Sequence, residues 1–196
     1  MKKKEAKEIA RARMGDKRFN HTINVKKMAV SLAEHYGEDP DRAAVAALLH
    51  DSAKEMPTEQ QIELMLKYPQ YAEGGSRRPA PVWHGICAAI LARTEWGVTD
   101  EGILSAIACH TTGKPGMSRL DKIIYLADMT SAERDWEGVE ELRQLCFESL
   151  DRAMLAALQQ TMSFVRKCGK PADPVSLDAF EDILHTSGLR REDFER

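Results

Sequence analysis

Apolar residues in this chain recur every three to four positions almost from end to end, and nowhere do they alternate long enough to make a half-buried strand. Segments with that period bury one stripe each, so the stable solution is helix packed on helix. Val25, Met28, Leu32 and Tyr36 mark one face of a helix that Gly37 can end. Asp39 reads as an N-cap with Pro40 at the first helical position of a second helix reaching His50. Thr58 and Gln61 have capping-box spacing ahead of Ile62, Met65 and Leu66. The stretch 68–81 holds three prolines and two adjacent glycines and reads as a loop into a helix with Trp83, Ile86, Cys87, Ile90 and Leu91. Two further helices carry Ile103, Leu104 and Ile107, then Leu120, Ile123, Ile124 and Ala127. A long helix is expected over 139–165, with the prolines of 169–175 breaking it and Ser176 capping a last helix through Leu177, Phe180, Ile183 and Leu184. The expected fold is an all-α bundle of seven to ten helices, one domain over residues 1–196 with no linker long enough to divide it.

Composition narrows the function. The 196 residues are enough to bury a sizeable core without disulfides or structural metal. A net charge of −3 and a pI near 6.1 argue against a general nucleic-acid binder. No apolar run approaches the ~20 residues that span a bilayer. The basic start at Met1–Lys4 is not followed by the apolar core of a signal peptide, because Lys7, Glu8, Arg11 and Arg13 interrupt it. A cytoplasmic protein is expected. Cys87, Cys109, Cys146 and Cys168 form no C-x-x-C pair; Cys87 and Cys109, in apolar helical stretches, read as buried small hydrophobes, with a Cys/His zinc site beside His84 and His110 as the alternative. Apolar residues on the terminal helices, such as Ile9 and Phe180, are expected to be exposed and to need partners, which suggests a homodimer.

The placing of the histidines is the chemical signal. His21, His50, His84 and His110, with Asp51 and Asp128, give the order H…HD…H…H…D, each part in a separate apolar helical stretch. His21 continues the Val25 stripe backwards by four, and His50 continues Ala43 and Ala46/Ala47, so both should point inward. Buried imidazoles and carboxylates are costly unless hydrogen bonds or a metal satisfy them. Imidazole and carboxylate together suit iron, manganese or zinc, and Asp51, with two oxygens, could bridge two ions. His35, beside Glu34 at a helix end, reads as an ordinary surface imidazole favoured by the helix dipole.

Five ordered blocks resemble a known family: R-F-N-H-T from Arg18, A-A-L-L-H-D-S-A-K from Ala46, W-H-G from Trp83, H-T-T-G from His110 and L-D-K-I-I-Y-L-A-D from Leu120. Together they are similar to the HD-domain phosphohydrolases, and more narrowly to the bacterial YqeK-type symmetrical diadenosine-tetraphosphate hydrolases. The resemblance covers about residues 15–165, leaving a C-terminal extension near 170–190 that follows the family pattern only loosely. It implies an HD-domain helical bundle and iron, as one ion or a pair, at His21, His50, Asp51 and Asp128. Manganese or another divalent metal is the alternative. His84 and His110 match positions that complete a second metal site or face phosphates, and the sequence leaves both roles open. The implied reaction is hydrolysis of diadenosine tetraphosphate to two ADP, with a dinucleoside polyphosphate as the partner.

Charged neighbours fit a phosphate substrate. Lys54 lies four after His50 and three after Asp51, on their face if the helix continues; beside a metal it reads as a phosphate contact, with a surface ion pair to Glu55 or Asp51 as the alternative. Arg18, three before His21, reads the same way. Thr111, Thr112 and Gly113 can end a helix and offer hydroxyls or amides to phosphate. Asp121 is expected to orient a ligand or pair with Arg119 or Lys122, and Arg134, by resemblance, to reach the nucleotide. Asp51 and Lys54 are thus the catalytic candidates. The competing functions are hydrolysis of another nucleotide (a nucleoside mono- or triphosphate, or a guanosine polyphosphate), a di-iron oxygenase on the same helices, or a non-catalytic metal or nucleotide sensor.

Overall fold

Helix ends, not helix middles, set the shape of this chain. The computed structural model describes residues 1–72 and 74–194, within which there are eleven α-helices and no strand. The first, α1 (Lys3–Arg13), leads into α2 (Asp16–Tyr36), which ends as expected at Gly37, whose left-handed φ of 66° lets its N–H bond back to Ala33. Asp39 caps α3 (Pro40–Leu49) by accepting from the N–H groups of Asp41 and Arg42. All of Ala43–Leu49 is buried, and α2 packs on α3 more extensively than any other pair. Small residues are frequent on both helices: Ala29 and Ala33 of α2 and Ala43, Ala46 and Ala47 of α3 are wholly excluded from solvent.

After α4 (Thr58–Lys67) the chain reaches α6 (Trp83–Thr94) and α7 (Glu101–Cys109), two packed neighbours. Gly85 lets the start of α6 meet the end of α7, since a Cβ there would lie 3.1 Å from both the Ala108 carbonyl and the His110 ring. Helix α8 (Arg119–Thr130) runs through the middle, packed on α2, α3 and α7 on one side and on α9 (Val139–Glu148) and α10 (Leu150–Lys167) on the other. The last helix, α11 (Pro174–Ser187), lies on α10. Buried residues from α1 through α11 form one continuous apolar cluster.

Several expectations fail for local reasons. Eleven helices exceed the expected seven to ten partly because 139–165 is split. Ser149 is extended at φ −157°, ends α9 and caps α10 by accepting from the Arg152 N–H. The 68–81 loop contains a four-residue helix, α5 (Pro69–Ala72), and two 3₁₀ turns. No capping box forms at Thr58; Pro57 is the N-cap and the Gln61 amide donates to Met56. The last helix begins at Pro174 under an Asp173 cap, with Ser176 inside it. Phe180 is buried and Ile9 packs against the core, whereas Leu177 on the last helix is exposed.

Candidate metal centre

Three helices point their C-terminal ends at one spot. His50 is the residue after α3, His110 the residue after α7, and Asp128 lies in the last turn of α8. The partial negative charge of those ends favours a cation. His84 enters from the first turn of α6 and His21 from the second turn of α2. The helical spacing predicted for Lys54 is not kept, because α3 stops at Leu49 and the chain continues in three-residue turns (Ser52 N–H to Leu49, Lys54 N–H to Asp51). Those turns still carry Lys54 over the cluster.

The four imidazoles share one orientation. His50 and His110 each donate Nδ1–H to the carbonyl three residues earlier, Ala47 and Ile107, at 2.7 Å; His84 does the same to Pro81 at 2.9 Å. His21 Nδ1 is held by the Glu133 carboxylate. Every Nε2 therefore turns inward, and those of His84 and His110 lie 3.1 Å apart. Asp51 sits among them, with Oδ2 3.7 Å from His50 Nε2 and 3.9 Å from His21 Nε2. Its Oδ1 is 3.2 Å from His84 Nε2 and 3.7 Å from His110 Nε2. Asp128 Oδ1 is 3.1 Å from His21 Nε2. Three ligand sets fall within reach of a single ion: His21, His50 and Asp51; His50, His110 and Asp128; Asp51, His84 and His110.

Charge states follow from the surroundings. Burial lowers His50 and pushes His84 down to about 4, so both are neutral near pH 7. Burial would lower His21 too, but Asp128 and Glu133 raise it above its ordinary value. Burial alone would raise Asp51 and Asp128, yet the imidazoles around Asp51, and His21, His50 and Arg134 around Asp128, hold both well below the usual carboxylate range. A divalent first-row cation fits these donors. The observation that tests the fit is His50 Nε2, a wholly buried atom with no hydrogen-bond partner. A lone pair in that position is costly unless a cation takes it.

A cavity of about 420 Å³ opens over the cluster, lined by Lys17, Arg18, Lys54, Thr111 and Arg134 as well as His21, Asp51, His84 and Asp128. Its size is within the ~300–1,000 Å³ of small-molecule sites. Arg18 Nη1 bonds Asp51 Oδ2 at 2.5 Å, and Arg134 Nη2 bonds Asp128 Oδ1 at 2.6 Å. Lys54 Nζ lies 3.2 Å from His84 Nε2, and burial lowers its pKa. It does not pair with Glu55, which instead accepts from Gly15 N–H and Arg18.

Other candidates fall outside. Thr112 is buried and engaged with Arg78, leaving Thr111 alone of the two threonines at the cavity. Asp121 neither orients a ligand nor pairs with Arg119 or Lys122; it accepts from the Ser118 N–H in a capping box and from the Ser105 hydroxyl. Cys87 donates to Gln61, and no cysteine joins a ligand set among the described residues. His35 stands apart, against Tyr36 and Phe147. Sequence reading missed Lys17, Asn24 and Glu133. For Glu133 the available signal was only its place in a polar stretch five residues past Asp128.

A helical domain whose ends bring together an HD pair and further histidines is the arrangement of one family. The chain matches the HD domain over residues 18–133, a span that includes all six histidine and aspartate ligand candidates, and it belongs to that family. It is 36% identical over 174 residues to the symmetrical bis(5'-nucleosyl)-tetraphosphatase of Bacillus subtilis (strain 168), covering 89% of this chain and 93% of that protein. A protein of the same name from Halalkalibacterium halodurans is 33% identical over 184 residues, 94% of this chain and 98% of that one. Among solved structures, a Clostridium acetobutylicum protein described as a predicted HD superfamily hydrolase involved in NAD metabolism superposes with a TM-score of 0.86. It is 35% identical, with 93% of this chain and 97% of that chain covered.

Proposed function

We propose that this chain is a metal-dependent phosphohydrolase that adds water across diadenosine tetraphosphate to give two ADP. The observation that carries the reading is the convergence of four inward Nε2 atoms and two carboxylates beneath a cavity rimmed by Lys17, Arg18, Lys54 and Arg134. Hydrolysis of a polyphosphate needs a metal and cationic groups within reach of the same phosphates. The substrate is supported by the near full-length relatives that carry the tetraphosphatase name.

His21, His50, Asp51 and Asp128 would hold iron, and His84 and His110 would either complete a second position or face the phosphates; manganese is the alternative metal. A cation held by these residues would supply Lewis acidity, both to activate water near neutral pH and to polarise a phosphoryl oxygen. Asp51, ionised and bordered by imidazoles on both sides, presents one oxygen to each half of the cluster. The Nδ1–H bonds fix every imidazole in the tautomer whose Nε2 can ligate. Lys54 and Arg18 would neutralise charge on the phosphoryl oxygens as it develops. Symmetric cleavage requires an ADP-sized half to be held so that attack falls on the second phosphorus.

A cytoplasmic setting is part of this reading. The four cysteines are free, as in a reducing compartment, and no described helix is long and apolar enough to cross a membrane. The test is turnover by purified, iron-loaded protein on a nucleotide panel with product identification. Diadenosine tetraphosphate giving ADP as the sole product is expected; AMP with ATP would contradict the symmetric reaction. Preference for another nucleotide, oxygen uptake, or no turnover would each replace the reading.

A further inference from the structure

The four imidazoles reach the same orientation by two different means. An α-helix leaves its last four carbonyls without an intrahelical donor. His50 and His110 follow α3 and α7 directly, so Ala47 and Ile107 offer such carbonyls to Nδ1–H. His84 uses Pro81, which precedes α6. His21 has no such local acceptor. It lies inside the 21-residue α2, where the carbonyls of residues 17 and 18 belong to the helical hydrogen-bond ladder. Its Nδ1–H must find an acceptor elsewhere in the chain, and finds Glu133, 112 residues away in sequence.

Glu133 is itself held from both sides. Its Oε1 accepts from the Ser131 hydroxyl at 2.7 Å, and its Oε2 from the Asn24 amide at 2.8 Å. The turn that carries it is pinned from behind by Arg143 on α9. Arg143 donates to the carbonyls of Thr130 at 3.0 Å, Ser131 at 2.8 Å and Arg134 at 2.7 Å. The next residue, Arg134, bonds Asp128. One short turn thus holds both members of the His21–Asp128 pair, the imidazole by an anion and the carboxylate by a cation.

We propose that Glu133 is a positioning residue for the metal centre, holding His21 in the orientation and tautomer that direct Nε2 at the ion. Asn24 and Ser131 steady the carboxylate. The inference rests on His21 being a metal ligand. Outer partners of ligating imidazoles typically contribute about 10–100-fold in metal affinity.

The experiment measures Mn²⁺ dissociation constants by calorimetric titration of metal-stripped protein. The panel is wild type, His21→Ala, Glu133→Ala, Glu133→Gln and the double variant His21→Ala/Glu133→Ala. Glu133→Ala should weaken Mn²⁺ binding by about 10–100-fold. It should also lower turnover at limiting metal far more than at saturating metal. Glu133→Gln keeps an acceptor for Nδ1–H and should recover most of the lost affinity. In the His21→Ala background, removing Glu133 should cost nothing further, because the carboxylate acts through that ring. Glu133→Ala binding Mn²⁺ like wild type while His21→Ala binds it weakly would overturn the assignment, as would a full additional loss in the double variant. His21→Ala binding Mn²⁺ like wild type would instead remove the ligand role of His21, and this inference with it.

Discussion

Helices α2 and α3 meet twice, and the two meetings obey different rules. Along their shared seam, Ala29, Leu32, Ala33, Ala43, Ala46 and Ala47 are wholly buried and bring no side-chain polar atom with them. At the end of the same pair, His21, His50 and Asp51 sit with lone pairs and charge turned inward, and His50 Nε2 has no partner. The seam is stabilised by burial and close contact, each buried CH₂ contributing about 0.8 kcal/mol. The centre spends part of that stability to keep a cation-shaped set of donors in place. Changes at the centre should therefore remove chemistry and spare the fold; changes in the seam should do the reverse.

The largest expected effect is at Asp51. Asp51→Ala takes one oxygen from each half of the cluster, so metal content and turnover should both fall to background while the helical circular dichroism of the purified variant stays at the wild-type level. Retention of metal and rate would break the contrast outright. Next is Lys54→Ala. A protonated ammonium cannot hold a cation, so metal content should be unchanged. A lost charge-assisted contact to the reacting phosphate should lower kcat by roughly 10²–10³, about 2–4 kcal/mol. If Lys54 is only an ion-pair partner, kcat with diadenosine tetraphosphate stays at its wild-type value.

The seam gives the opposite signature at smaller size. Ala43→Leu forces extra methylenes into a wholly buried position and should cost about 1–3 kcal/mol. At roughly 2–4 °C per kcal/mol for a chain of this size, the thermal midpoint should drop visibly. Metal per folded chain and kcat at 25 °C should be unaltered. A loss of metal in this variant with an unchanged midpoint would mean that seam and centre are not separable. The smallest effect is expected at His35, whose ring packs against Tyr36 and Phe147 and which joins no ligand set among the described residues. His35→Ala should leave metal and rate intact and shift stability by no more than about 0.5 kcal/mol.

The same division explains what could be read from the sequence. The seam and the other core faces are periodic, and period is visible: Gly37 and the Asp39–Pro40 cap fall where the pattern placed them. The inward direction of His50 could also be read, because it continues the alanine stripe of α3. What the period could not give was anything decided between distant segments. The Glu133–His21 bond joins residues 112 apart. The break at Ser149 interrupts a stretch whose apolar period runs on across it, and only the backbone turn reveals it. Asp121 looked like a ligand partner because it lies on the Asp128 stripe, but seven residues carry it two turns away, to the other end of α8, where it caps the helix.

The most direct test of the centre is a melt of metal-stripped protein with increasing Mn²⁺, compared between wild type and His50→Ala. A ligand that binds only the folded state adds about 2.7 kcal/mol at one hundred times its Kd. The wild-type midpoint should climb with Mn²⁺ concentration, and the His50→Ala midpoint should stay flat over the same range. Equal climbs in the two proteins, or no climb in wild type, would show that the partnerless nitrogen of His50 is not where the cation binds.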